Sequence, residues 1–227
     1  MLTWVRWDRG DGRPKIDGEV GPLRVEVFAL GELEANCYLV WCEQTGQAMV
    51  IDPGGDPAPV FQSAGRRKLS VVLIVNTHGH VDHIAGNARL RQLTGARLLI
   101  GAGDAPMLGN PALNLSSWVG ESLAMAADDL LNDGDRITVG ELVFAVIYTP
   151  GHSPGGICLH TAGAVFTGDT LFAGSIGRSD LPGGDTEQLM RSLEERLMIL
   201  PGETMVYPGH GPTSTIALEK RCNPFLT

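Results

Sequence analysis

The order of elements suits an α+β protein, two β-sheets packed face to face with helices on the outer faces. Three observations carry this. Short apolar runs of strand length follow one another in the N-terminal half, end in Gly- and Pro-rich turns, and lead into helical stretches. The C-terminal half repeats that outline. A length of 227 residues with 43% hydrophobic content suits one layered domain over residues 23–227 better than two independent ones.

Residues 1–22, rich in Gly, Asp and Arg, read as an N-terminal extension. Strands follow at Arg24–Leu30, Cys37–Cys42 and Ala48–Asp52, the last running into the turn Asp52-Pro-Gly-Gly-Asp56. Leu69–Val75 reads as a buried strand, Ile84–Thr94 as a helix and Arg97–Ile100 as the next strand. Ala102–Asp135 is irregular, a mixture of helix and loop that forms either one wall of a substrate cleft or a packing insertion. Strands recur near Ile137 and over Leu142–Tyr148, Gly156–His160, Val165–Thr167 and Thr204–Tyr207. Thr186–Ile199 reads as a helix, because Leu189, Met190, Leu193, Leu197 and Leu200 recur at helical spacing. That stripe is core.

A net charge of −9 argues against a nucleic-acid surface, which needs clustered Lys and Arg. No apolar run approaches the length of a membrane span. Met1–Asp8 lacks the basic-then-apolar pattern of a signal peptide. Cys37, Cys42, Cys158 and Cys222 show no paired metal spacing and need no disulfides, so a reducing cytoplasm is the simplest location.

The chemistry concentrates in Thr77-His-Gly-His-Val-Asp-His83, where three of the six histidines and a carboxylate crowd together. Imidazole and carboxylate are the usual ligands of zinc, iron and manganese. A stretch this dense places at least two ligands on each of two neighbouring metal positions. Three further junctions, each after an apolar run, deliver His152 in Gly151-His-Ser-Pro-Gly155, Asp169 in Gly168-Asp-Thr170, and His210 in Gly209-His-Gly211. Gly- and Pro-rich loops hold such side chains in fixed, non-helical backbone shapes. Asp52 reads as a residue that orients a metal-binding His, with direct ligation as the alternative. His160 alternates within a strand and reads as structural.

In type, order and approximate spacing these motifs resemble the metallo-β-lactamase superfamily, over about Leu23 to Leu226. Within it the chain is most similar to the glyoxalase II (hydroxyacylglutathione hydrolase-like) branch, in its short single-domain bacterial form. Gly174-Ser-Ile-Gly-Arg-Ser-Asp180, Pro208–Thr215 and the tail Asn223-Pro-Phe-Leu226 carry that narrower likeness. The resemblance implies a four-layer αβ/βα sandwich with two mixed β-sheets. It assigns His78, His80 and His152 to one metal and Asp82, His83 and His210 to a second, with Asp169 bridging. It further implies two divalent metal ions per chain, zinc first, with iron or manganese as alternatives. Asp82 and Asp169 would then serve catalysis, and a hydroxide bridging the metals would attack a carbonyl carbon.

A thioester suits such a site, because a thiol of pKa near 8.5 leaves readily without a dedicated acid. The expected function is therefore hydrolysis of small-molecule acyl-thioesters such as S-lactoylglutathione. Full-length members of the branch carry a helical domain after the last His, whereas this chain runs only to Thr227, so the thiol carrier stays open. The competing reading is a persulfide dioxygenase-like oxidoreductase with one iron held by His80, His152 and Asp169. A third is a non-catalytic metal-binding module. Arg178 is read in two ways, as a clamp on a substrate carboxylate or as the partner of Asp180 in a loop-holding ion pair. Oligomeric state stays open.

Overall fold

The computed structural model describes residues 23–226, so the expected extension over residues 1–22 lies outside the described residues. The first sheet has the spatial order β1 (Leu23–Leu30), β2 (Ala35–Cys42), β3 (Gln47–Ile51), β4 (Ser70–Asn76), β5 (Arg97–Gly101) and β6 (Asp129–Leu131). Strands β1 to β3 pair antiparallel and β3 to β6 parallel. Parallel neighbours need a crossover. α1 (Ala58–Arg66) supplies one between β3 and β4, and α2 (Val81–Ile84) with α3 (Asn87–Thr94) supplies the next.

The second sheet is built from β7 (Arg136–Val139), β8 (Leu142–Tyr148), β9 (Ile157–Thr161) and β10 (Ala164–Gly168), joined by β13 (Met205–Pro208) and β14 (Ser214–Thr215). Its spatial order is β14-β13-β10-β9-β8-β7. A small hairpin, β11 (Leu171–Phe172) and β12 (Ser175–Ile176), stands apart from both sheets.

Period-2 alternation explains the layers. In β2, Tyr38, Val40 and Cys42 point between the sheets, where they meet Phe144, Leu159 and Phe166 of the second sheet. The intervening Cys37 and Leu39 point outward, to Val60 of α1 and Leu90 of α3. On the far side, Cys158 and Val165 pack against Leu189 of α5 (Thr186–Ser192) and Ile216 of α6 (Ile216–Cys222). Helix–sheet–sheet–helix is the expected sandwich. Among the described residues no helix is long and apolar enough to cross a membrane.

Several elements differ from the sequence reading. The helix expected over Ile84–Thr94 starts earlier and divides at Gly86, whose N–H donates to the Pro53 carbonyl at 2.6 Å. A Cβ at Gly86 would overlap the Gly55 carbonyl, so the chain turns where only glycine fits. Helix α5 passes into a π turn over Leu193–Leu197, within the expected Thr186–Ile199 span. The irregular stretch contains two 3₁₀ turns (Ala102–Asp104 and Ser116–Val119), α4 (Ala105–Leu108) and β6. Helices α1 and α6 are additions that the sequence reading lacked.

Candidate metal centre

The loops that carry the candidate ligands leave the carboxyl ends of β3, β4, β8, β10 and β13, one rim of the sandwich, which is the usual place for a site in such sheets. His78, His80 and His152 bring ring nitrogens within 4.8 Å of one another, and so do the donor atoms of Asp82, His83 and His210. Asp169 lies between the groups. Its Oδ1 is 3.3 Å from His83 Nε2, and its Oδ2 is 3.6 Å from His152 Nε2 and 3.7 Å from His210 Nε2. All seven residues expected from the sequence converge. His160 does not join them; it is buried in β9 with its Nδ1 unpartnered.

Hydrogen bonds set which ring nitrogen faces the centre. His152 Nδ1 donates to the Arg178 carbonyl at 2.6 Å, so its Nε2 presents a lone pair. His83 Nδ1 donates to Asp52 Oδ2 at 3.0 Å, which frees Nε2 in the same way. Thr77 donates its hydroxyl to Asp52 Oδ2 at 2.6 Å, and its oxygen lies 3.2 Å from His78 Nδ1. One carboxylate thus orients His83 directly and His78 through Thr77, as outer partners of metal-binding histidines do. Asp52 itself has φ of 52°, the left-handed region that Asp tolerates better than most residues. That backbone turn carries its carboxylate beneath the centre.

The donor chemistry fits cations. His78 Nε2 is buried without a hydrogen-bond partner, and His83 Nε2 and Asp169 Oδ1, though 3.3 Å apart, are buried without a well-aligned hydrogen bond. Leaving such atoms unsatisfied costs about 1–3 kcal/mol each, a cost that ligation to a metal removes. His80 Nδ1 lies 2.9 Å from His152 Nε2, a spacing that suits a shared proton or two lone pairs converging on one cation. Space is reserved as well: a Cβ at Gly209 would overlap Asp169 Oδ1 and come within 2.9 Å of His83 Cε1.

The two groups differ in how tightly they hold protons. Burial, reinforced by the neighbouring histidines, keeps the His78 imidazole well below its ordinary value. The same causes bring His80 down to about 4. At His83 burial acts in that direction too, but the charges of Asp82, Asp169 and Asp52 overcome it and hold the ring well above its ordinary value. The hydrogen bond that His210 donates to Asp82 also raises His210. Burial would raise the Asp82 carboxyl, yet His83 and His210 keep it low. A bound cation must displace these protons. Protons therefore compete harder at His83 and His210, and acidification is expected to release metal from their group at a higher pH than from the group of His78 and His80. Metal content after equilibration across a pH series should fall in two steps; a single step would contradict the difference.

Three residues that the sequence reading missed hold the loops. Asp104 is fully buried and accepts from Gly79 N at 3.0 Å, Ser153 Oγ at 2.7 Å and Gly155 N at 2.5 Å. It thereby ties the loop of His78 and His80 to the loop of His152. Asn36 donates to the carbonyls of Pro208 and Gly211, and the Tyr38 hydroxyl donates to Pro208 at 2.6 Å. These two fix the His210 loop from β2 of the opposite sheet. Arg178 reaches the centre only through its carbonyl; its guanidinium is exposed and grips Asp180 through two bonds, of 2.7 and 2.8 Å.

Residues 30–210 match the metallo-beta-lactamase superfamily. The chain is 32% identical to hydroxyacylglutathione hydrolase GloC of Haemophilus influenzae, over 90% of its own length and 98% of that protein. Among solved structures it resembles the BLEG-1 B3 metallo-beta-lactamase, with TM-score 0.86 and 36% identity over 90% of this chain and 100% of that one. TTHA1623 in a di-iron-bound form gives 0.79 and 37%, covering 89% and 100%. ETHE1 from Myxococcus xanthus gives 0.74 and 34%, covering 88% and 83%. With the sandwich, the rim of ligand-bearing loops and this match in hand, the chain belongs to the metallo-beta-lactamase superfamily.

Proposed function

We propose that the chain is a metal-dependent hydrolase of acyl-thioesters, with two divalent cations per chain. The observation that supports this most is the position of Asp169, whose two oxygens face both ligand groups. His78, His80 and His152 would hold one cation and Asp82, His83 and His210 the other, with Asp169 shared. Two divalent cations there would acidify water and stabilise negative charge developing on a carbonyl oxygen. The protein's own part is orientation. Asp52, Thr77 and the Arg178 carbonyl fix the imidazole tautomers, and Asp104 holds two of the ligand loops together. The leaving thiolate needs no protein acid.

The likeness to GloC supports thioesters, and the di-iron form of TTHA1623 supports a dinuclear centre and admits iron as well as zinc. The free state of Cys37, Cys42, Cys158 and Cys222 supports a reducing cytoplasm as the place of action. Protein purified without chelators should carry two metals per chain and release thiol from S-lactoylglutathione or from a coenzyme A-type thioester. A β-lactam and a glutathione persulfide complete the panel, in view of the BLEG-1 and ETHE1 likenesses. One iron per chain with oxygen uptake on the persulfide, and no thiol release, would overturn the proposal.

Arg178 is proposed as the group that meets a substrate carboxylate. Its loop touches His152, and its side chain is 62% exposed. A solvent-exposed ion pair contributes little, so Asp180 can yield the guanidinium to a carboxylate at little cost. Arg178→Lys keeps the charge but loses the fork. It is expected to raise KM for carboxylated thioesters and leave neutral ones unchanged. Equal effects on both substrate types would assign Arg178 to loop-holding.

A further inference from the structure

The C-terminal helix carries a buried carboxylate that the chemistry above does not use. Glu219 is 2% exposed and lies on α6. Its Oε2 accepts from Gly174 N at 2.9 Å and from Asn223 Nδ2 at 2.8 Å. Its Oε1 accepts from the Ser214 hydroxyl. Asn223 Nδ2 also donates to the Ser175 carbonyl at 3.0 Å.

The bonded partners belong to two different ligand-bearing segments. Gly174 and Ser175 form the tip and return of the β11–β12 hairpin, which begins two residues after Asp169. Its Phe172 ring stands edge-on to His210, with ring centroids 6.1 Å apart. Ser214 lies on β14, which pairs with β13 at Val206, and β13 runs directly into the His210 loop. One oxygen of Glu219 thus holds the Asp169 side and the other the His210 side.

We propose that Glu219 is a positioning residue that sets the spacing between Asp169 and His210, and hence the geometry of the Asp82–His83–His210 cation position. Ser214 and Asn223 act with it. This assigns a role to the Asn223-Pro-Phe-Leu226 tail: Asn223 closes the clamp, and its own Oδ1 accepts from Phe225 N at 3.1 Å. The proposal rests on the dinuclear reading above.

Glu219→Gln removes the charge from the clamp and puts an amide NH₂ where one oxygen accepts; facing Gly174 N or Asn223 Nδ2 it meets a donor, and facing Ser214 it forces the hydroxyl to turn round and accept. Ser214→Ala removes only the link to the His210 side. Ile216→Val is the control, a fully buried α6 residue in the outer core that makes none of these bonds. The metal-free chain is titrated with Co²⁺, followed by its visible absorption, with the folded fraction of each variant measured by near-UV circular dichroism. Wild type should take up two ions. Glu219→Gln should weaken the second uptake by about 10- to 100-fold, shift its absorption band and leave the first uptake within a few fold. Ser214→Ala should do the same to a smaller degree, and it decides the matter if Glu219→Gln fails to fold. Ile216→Val should change neither uptake. Equal losses in Ile216→Val and the clamp variants, or equal weakening of both uptakes, would overturn the proposal. A wild-type chain taking up fewer than two ions would overturn the dinuclear reading, and the clamp with it.

Discussion

Asp169→Ala is expected to reduce thioester hydrolysis by about 10³-fold or more, and to do so more thoroughly than His210→Ala. Asp169 faces His152 on one side and His83 and His210 on the other, whereas His210 belongs to one group. Losing a terminal ligand such as His210 weakens one position. Losing the shared carboxylate alters both positions and the distance between them. Asp169 is also held below its ordinary pKa, against the pull of burial, by His83, His152 and His210. Metal content and kcat/KM of the two variants, measured side by side, check the ranking. Near-normal turnover and two metals in Asp169→Ala would remove it from the bridging position.

Gly209→Ala is expected to be nearly as damaging, although it adds one methyl group and removes no donor. That methyl would overlap Asp169 Oδ1 and crowd His83 Cε1. The backbone cannot retreat easily, because Gly209 N donates to Gly168 O and its carbonyl accepts from Asn36 N, both at 2.7 Å. The methyl must displace either the carboxylate or the imidazole, and a shift of about 1 Å at a reacting centre can cost about 10²-fold. Circular dichroism should show a folded chain with metal content below two per chain. A fully loaded, fully active Gly209→Ala protein would mean that the loop relaxes freely.

The sandwich and the convergence of the candidate ligands were legible because both depend on local pattern. Strand runs alternate or are continuously apolar, and each ligand sits in a short motif that ends such a run. What stayed hidden depends on partners distant in sequence. Asp104 is unremarkable within Gly101-Ala-Gly-Asp104; its role comes from Gly155, 51 residues away. Asn36 looks like an ordinary strand residue until it meets Pro208, 172 residues later. Helix α1 was masked by its neighbours, since Asp52-Pro-Gly-Gly-Asp56 and Pro57 are turn signals and Pro57 is also the residue that starts the helix. The break at Gly86 follows from a contact with Pro53 and Gly55 that helical periodicity does not register.

The donors are divided between the halves of the chain. His78, His80, Asp82 and His83 follow β4 of the first sheet, while His152, Asp169 and His210 follow strands of the second. Neither half can assemble the centre alone, so bound cations would act as rivets between the sheets, closing a loop as long as the 128 residues from Asp82 to His210. A ligand that binds only the assembled form stabilises it in proportion to the logarithm of its free concentration. Metal supply would then govern how long the folded chain survives as well as whether it turns over. A cell short of metal would lose the protein to unfolding and proteolysis, in addition to its activity.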